Sequence, residues 1–287
     1  MKIKSVIIII ITMVSTNIYT QQLVEQVDLN RSISIDGMHI EEDGTIYAVE
    51  GWDGTKINKI DPNGDVTEFS LGYRGPIDIV KGNDGNFYIS EWQGSRITKV
   101  DKNGKFIKAI PIKPGPGPMT KDALGNMYVT HNVNDGSGHI SKISITDEVT
   151  IFSSDPKLVN PGGIDIDNKG NIYVVNFNNA DLIQIKPDKT SKLIATLPGK
   201  SQWKSGHLKV VGNKIYITGA QENKIYSVDF NGNIEVFINA VSSNSNEALK
   251  PKIENPIGLT CDKKNHTLYI SKGFVKMESL IKVNLKR

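Results

Sequence analysis

Short runs of alternating apolar and polar residues recur along the whole chain, and the strongest of them form a repeat. Six segments are variants of one pattern, a turn followed by a strand: DGTIYAVE, DGNFYISE, LGNMYVTH, KGNIYVVN, VGNKIYITG and KNHTLYISK. Each segment contains one tyrosine, and these tyrosines recur every 40 to 53 residues: Tyr47, Tyr88, Tyr128, Tyr173, Tyr216 and Tyr269. A repeat of this length with a strand in each copy is typical of the blades of a β-propeller.

Each repeat divides into four strands separated by turns. In the fourth repeat, NPGGIDID predicts a first strand, NIYVVN a second and ADLIQIKPD a third. Turns such as DPNG, DKNG and DFNG lead to a fourth strand, for example DVTEFS. No segment shows a helical period. The sequence therefore predicts an all-β fold, a six-bladed β-propeller with four antiparallel strands per blade.

The sixth repeat stops one strand short, and the start of the chain offers the missing strand. After PIGLTCD, TLYIS and SLIKVNL the sequence ends at Arg287. Residues 22–29, QLVEQVDL, belong to no other repeat and have the pattern of a strand. We expect them to complete blade six and close the ring, because closure removes exposed sheet edges. Residues 22–287 are then one domain.

The first 20 residues have the pattern of a signal peptide. Lys2 and Lys4 precede the apolar run Val6–Ile11, and small polar residues follow. This order is typical of secretory leaders, and the run is too short to span a bilayer. We therefore expect a secreted or periplasmic protein with no membrane attachment after cleavage.

Composition narrows the possible partners. The formal net charge is +3 over 287 residues, which does not predict the concentrated basic face of a nucleic-acid-binding protein. Cys261 is the single cysteine, so an internal disulfide is excluded. The sequence shows no phosphate-binding glycine loop, and we expect no organic cofactor. A monomer that binds a small molecule or a glycan fits these features.

The loop before each innermost strand and the end of each second strand open on the same face of a propeller, which we call the mouth. Asp36, Glu50 and Glu91 fall at these positions in blades one and two, and their carboxylates suit Ca²⁺ or Mg²⁺. His131 and His207 are candidate general bases. Further polar residues at these positions are candidate ligand-binding groups: Asp78, Asn176 and Lys272. The alternative is a solvated polar lining without function.

Trp52 and Trp92 follow the second strands of blades one and two. Their faces suit stacking on a sugar or an aromatic ligand, although packing between blades explains them equally well. Trp203 and the connection 239–255 are expected to reach the same face, where either could act as a lid. The connection is rich in Ser and Asn, and the alternative for it is a tolerated insertion.

Three families share motifs with the chain. NPGGIDIDNKGNIYVVNFNNADLIQI resembles an NHL repeat, which implies the propeller fold. IDGM is similar to the metal-binding Pro-Asp-Gly-Met sequence of the gluconolactonase and senescence-marker-protein (regucalcin) family, which implies a metal ligand at Asp36. That family's other ligand positions correspond to Ile77, Gly162 or Ile257 here. FYISE resembles the Trp-Phe-Thr-Glu of streptogramin B lyases, whose catalytic His and Glu positions hold Ile257 and Lys272 here.

The leading expectation is an exported, metal-dependent hydrolase of a small lactone or ester. Asp36, Glu50 and Glu91 would hold the metal, and His131 or His207 would act as the base. The alternative is a non-catalytic module that binds a glycan, peptide or protein through Trp52 and Trp92. A lyase like the streptogramin B lyases is the third hypothesis.

Overall fold

The structure is a computed structural model that describes residues 24–133, 137–199, 205–239, 253–273 and 275–285. The predicted signal peptide, Trp203 and most of the connection 239–255 lie outside the described residues. Within the described part every regular element is a β-strand, and the strands form six four-stranded antiparallel sheets. The predicted six-bladed propeller is confirmed. No helix in these residues is long and apolar enough to cross a membrane.

The strands are numbered along the chain, and the first strand of each blade is the innermost. The described chain begins with β1 (Val24–Ile33). Blade one contains β2 (Met38–Ile40), β3 (Ile46–Val49), β4 (Lys56–Ile60) and β5 (Val66–Leu71). Blade two contains β6 (Pro76–Lys81), β7 (Phe87–Glu91), β8 (Arg96–Val100) and β9 (Phe106–Pro111). Blade three contains β10 (Pro116–Lys121), β11 (Met127–Asn132), β12 (Gly138–Ile143) and β13 (Val149–Ser153).

The second half of the ring follows the same plan. Blade four contains β14 (Pro161–Ile166), β15 (Ile172–Asn176), β16 (Asp181–Ile185) and β17 (Ser191–Thr196). Blade five contains β18 (Leu208–Val211), β19 (Lys214–Gly219), β20 (Lys224–Asp229) and β21 (Ile234–Asn239). Blade six contains β22 (Pro256–Asp262), β23 (Thr267–Lys272) and β24 (Met277–Asn284), and its outer strand is β1.

The ring closes as predicted. β1 pairs antiparallel with β24, from Val24 opposite Val283 to Asp28 opposite Ser279. β1 also binds the next blade, because the Asn30 amide N–H donates to the Gly64 carbonyl oxygen at 3.2 Å. One strand therefore completes blade six and joins it to blade one.

The hydrophobic core of the described chain consists of six clusters, one at each junction between neighbouring blades. Ile57 of blade one packs with Ile79 of blade two, and Leu182 of blade four packs with Leu208 of blade five. Each sheet thus buries both of its faces, which is why the second strands are apolar in nearly every position.

The repeated tyrosine has a defined partner in the turn before it. In blade three the Asp122 carboxylate accepts the backbone and side-chain N–H groups of Asn126 at 2.9 and 2.8 Å, and the Tyr128 hydroxyl at 3.2 Å. Blade four repeats this arrangement with Asp167 as the acceptor. Burial, together with the nearby carboxylate, raises the pKa of Tyr128 to about 12.

Replacing Leu29 by Ala should destabilise the fold, because this β1 side chain belongs to the apolar cluster between blades six and one. We expect the free energy of unfolding to fall by about 2 kcal/mol or more. Urea denaturation measures the change, and Asp28→Ala on the exposed side of β1 is the control. A loss at Leu29 no larger than at Asp28 would show that β1 does not hold the ring closed.

Candidate functional site

The mouth contains a cavity of about 570 Å³ whose wall takes one residue from the same place in every blade. The repeat tyrosine gives a common reference point in every blade. The residue after it pairs with a buried apolar residue of the innermost strand, as Ile89 pairs with Ile79. In each blade the wall residue lies two positions before this apolar residue: Asp36, Ile77, Gly117, Gly162, Gly206 and Ile257. The cavity has the size of a small-molecule site. We call it the mouth cavity.

Asp36 and His207 meet in this cavity, although 171 positions separate them in the sequence. His207 Nε2 lies 3.1 Å from Asp36 Oδ1, and His207 is almost fully buried. Because a carboxylate only accepts hydrogen bonds, Nε2 carries a proton, and in the neutral imidazole the lone pair is then on Nδ1. Within the part of the chain that the structure describes, Nδ1 has no hydrogen-bond partner. The pair thus offers a base that its neighbour orients.

Glycine in blade six allows this contact between blades five and one. Gly258 occupies the place in blade six that His207 occupies in blade five. A Cβ atom at Gly258 would overlap the Asp36 carbonyl oxygen, and one at Gly206 would lie 2.8 Å from the Ile257 carbonyl oxygen. The His207 amide N–H also donates to Thr218 Oγ1 at 2.9 Å, which holds the backbone of His207 in place.

Two tryptophans form the wall over blades one and two. The rings of Trp52 and Trp92 have centroids 4.0 Å apart at an angle of 47°. Trp92 Nε1–H donates to the Asn132 carbonyl oxygen at 3.1 Å, which fixes that ring between blades two and three. Trp52 is 47% exposed. Trp92 therefore packs between blades, while Trp52 leaves its ring available to a ligand.

Of the ten predicted site residues, four line the mouth cavity: Asp36, Trp52, Trp92 and His207. Four of the residues that end second strands instead bind the loop before the innermost strand of their own blade. His131 Nδ1 contacts the Pro114 carbonyl oxygen at 3.0 Å. Asn176 accepts the Val159 N–H at 3.2 Å and donates to the Lys157 carbonyl oxygen at 2.8 Å. Lys272 lies 3.7 Å from Glu254.

Glu91 has the same anchoring position in blade two and is completely buried. Oε1 accepts Arg96 Nε–H at 2.9 Å and also the Thr98 hydroxyl. Oε2 accepts the Arg74 backbone N–H at 2.8 Å and a second guanidinium N–H of Arg96 at 3.0 Å. Both carboxylate oxygens are thus occupied by an ion pair and its neighbours. This geometry favours a structural role for Glu91.

Asp78 also serves the scaffold. Its carboxylate accepts the backbone N–H of Ile79 at 2.9 Å and that of Met119, on the innermost strand of blade three, at 2.8 Å. Burial raises the pKa of Asp78. Gly37 leaves the room for this carboxylate, since a Cβ atom there would collide with it.

The described residues do not fit the predicted divalent cation. Glu50 Oε2 accepts the Thr55 N–H of its own turn at 3.1 Å, and Glu91 is fully paired. Asp36, Glu50 and Glu91 are not brought together, and no three His, Cys, Asp or Glu side chains cluster in the described residues. The chemistry derived for this cavity therefore involves no step through a metal.

Several residues that line the cavity were not predicted as site residues from the sequence: Asp53, Pro118, Asn132, Asn160, Phe177 and Asn178. Phe177 directly follows Asn176, just as Trp92 follows Glu91. Position alone could have identified it. Asn160 lies one residue before the innermost strand of blade four.

Comparisons with known proteins support the fold. No protein-family model matches the chain, and no curated protein matches it. The virginiamycin B lyase of Staphylococcus aureus is similar in structure, with a TM-score of 0.65 and 17% identity over 93% of this chain and all of that one. A gluconolactonase from Xanthomonas campestris gives 0.69 and 12% over 91% and 92%. A luciferin-regenerating enzyme gives 0.68 and 14% over 92% and 95%. At these identities the likeness shows the six-bladed propeller.

Acidification should destabilise the protein through His131. Burial lowers the pKa of His131 to about 4, and the ring stacks on that of His139 with centroids 4.0 Å apart. The unfolded chain, with a His pKa near 6.5, binds the proton first, so stability falls as pH drops from about 6.5 towards 4. Between pH 6.5 and 5, the wild type should lose about 2 kcal/mol more than His131→Asn. Urea denaturation at each pH measures this difference, and parallel losses would contradict it.

Adding Ca²⁺, Mg²⁺, Mn²⁺ or Zn²⁺ should leave the melting temperature of the protein unchanged. A cation that binds the native state specifically would raise it. Thermal-shift measurements on the wild type and on Asp36→Ala provide the test. A rise in the wild type that disappears in the variant would restore Asp36 as a metal ligand.

Proposed function

We propose that the chain is an enzyme that opens small cyclic esters at the mouth cavity, with His207 as the general base. The observation that carries this proposal is the 3.1 Å contact between His207 Nε2 and Asp36 Oδ1 at the cavity wall. A buried imidazole held by a carboxylate is the usual arrangement of a catalytic base. The fold is shared with a lyase and a gluconolactonase, which supports an enzyme.

His207 can serve either of two ring-opening reactions. In hydrolysis, Nδ1 removes a proton from water, the water oxygen adds to the carbonyl carbon, and the ring C–O bond breaks. The imidazolium then returns the proton to the leaving alkoxide, and the product is a hydroxy acid. In elimination, Nδ1 removes a proton from the carbon next to the one bearing the ester oxygen. The C–O bond breaks to give an alkene and a carboxylate.

Asp36 acts through His207 in both reactions. Its carboxylate keeps the proton on Nε2, so that the lone pair of Nδ1 faces the reaction, and stabilises the imidazolium that forms. The apolar side chains Ile77 and Ile257 line the same cavity and reduce its water content. A charged intermediate in such a site interacts more strongly with its neighbours than it would in water.

A binding module is the second candidate, because Trp52 exposes nearly half of its surface beside the cavity. An exposed indole next to a partly apolar cavity suits stacking on a sugar or an aromatic ring. In this function His207 and Asp36 would supply hydrogen bonds without turnover.

Replacing His207 by Asn should lower the turnover of lactones by at least about 100-fold, since a general base contributes that much. A panel of aliphatic and aryl lactones, followed by mass spectrometry, measures the product. A gain of one water molecule identifies hydrolysis, whereas an unchanged mass with a new alkene identifies elimination. Asp36→Asn should also lower turnover, because the proton on Nε2 is no longer fixed.

His266→Asn is the matched control, since His266 lies exposed in the turn of blade six. It should leave the rate unchanged. Full activity in His207→Asn would reject the proposal. Binding without product, lost in Trp52→Ala, would establish the binding module instead.

A further inference from the structure

On the rim of blade four, two carboxamide oxygens have no hydrogen-bond partner among the residues that the structure describes. Asn160 lies just before β14 and Asn178 just after β15, and both line the mouth cavity. The Oδ1 atom of each is buried, and neither atom has a hydrogen-bond partner in the described residues. Buried polar groups in native proteins are nearly always hydrogen-bonded, so each such atom calls for an explanation. Two such oxygen atoms on one wall of the cavity indicate that a ligand supplies the missing donors.

Asn160 and Asn178 lie on the side of the mouth opposite Asp36. The innermost strands contact one another in the order β2, β6, β10, β14, β18, β22 and back to β2. Blade four is therefore opposite blade one. Asn160 and Asn178 lie across the cavity from Asp36, with the tryptophans on the wall between. A ligand that reaches both sides must span the mouth.

The fold itself does not require the side chain of Asn160. Asn160 has a left-handed backbone, with φ of 49°, directly before the proline that begins β14. Gly75 and Gly115 stand at the same place in blades two and three, with φ of 61° and 71°. Glycine adopts this conformation more readily than asparagine. The Asn160 backbone oxygen accepts the Phe177 N–H at 2.8 Å, a contact that glycine would also make. The backbone at position 160 thus does not depend on the carboxamide.

We propose that Asn160 and Asn178 bind a primary amide of the ligand, while an aromatic ring of the same ligand stacks on Trp52. A carboxamide has one donor and one acceptor edge. A primary amide matches the pair, because its two N–H groups donate one to each Oδ1 atom. This inference rests on the proposed function for the use of the mouth cavity, and it names the class of ligand: aromatic compounds that carry an amide.

Two probes of the same shape test the amide directly. 3-Phenylpropanamide carries an aromatic ring and a primary amide, and benzylacetone replaces its NH₂ by CH₃. Ligand-observed NMR titration should give 3-phenylpropanamide a dissociation constant roughly three- to tenfold lower than that of benzylacetone, the effect of one or two hydrogen bonds. Neither probe is a lactone, so binding is measured apart from turnover.

Asn160→Gly and Asn178→Ala should each reduce this preference, and the double variant should abolish it. Asn160→Gly introduces the residue that blades two and three already have, so the backbone is preserved. The matched controls are Asn255→Gly and Gln221→Ala, the same positions in blades six and five outside the cavity wall. Both controls should keep the preference.

Equal affinity of the wild type for the two probes, or no binding of either, would overturn the inference. A preference that survives in the double variant would also overturn it. Lactone opening, measured in parallel, separates the two proposals. Amide preference without lactone opening rejects the enzyme and leaves this binding site, whereas lactone opening without amide preference rejects the binding site alone.

Discussion

The close approach of six innermost strands around one axis is the constraint on which the rest of the structure depends. In blades one, four and six this strand comes within contact of the next blade's backbone at a position where any side chain would collide. Gly37, Gly163 and Gly258 occupy equivalent places, and a Cβ atom at any of them would collide with the next blade. The absence of side chains there leaves space at the mouth. The cavity and the contact between His207 and Asp36 both follow from it.

The polar residues near the mouth fall into two groups with different physical roles. Asp78 and Glu91 are buried and paired, and each accepts a backbone N–H from outside its own strand, Met119 in the next blade and Arg74 in the preceding loop. Asp36, Asn160 and Asn178 face the cavity and leave hydrogen-bonding capacity unused. A buried charge must be paired to be tolerated, so the first group stabilises the scaffold and is unavailable for chemistry.

The fold could be predicted from the sequence because its signal is repeated six times, and each copy carries its own turn, as Asp122 and Tyr128 show. The site could be predicted only in part. Position on the rim correctly predicted that Asp36, Trp52, Trp92 and His207 line the cavity. The same criterion also selected Glu91 and Asn176, which do not line it. Whether a rim side chain turns towards the axis or back to its own loop depends on partners such as Arg96 and Val159. The contact between His207 and Asp36 crosses blade six, and a local sequence pattern does not predict a contact across an intervening blade.

The pairing of β1 with β24 also governs the order in which the molecule can be assembled. Val24 and Val283 lie at opposite ends of the described chain, yet they are direct neighbours in one sheet. Blades one to five are each built from continuous sequence and depend on short loops, which close rapidly. Blade six must wait for a contact across nearly the whole chain, and such contacts are slow to form. The mouth cavity needs all six innermost strands in place, so it forms late, in the step that converts an open arc of blades into a ring.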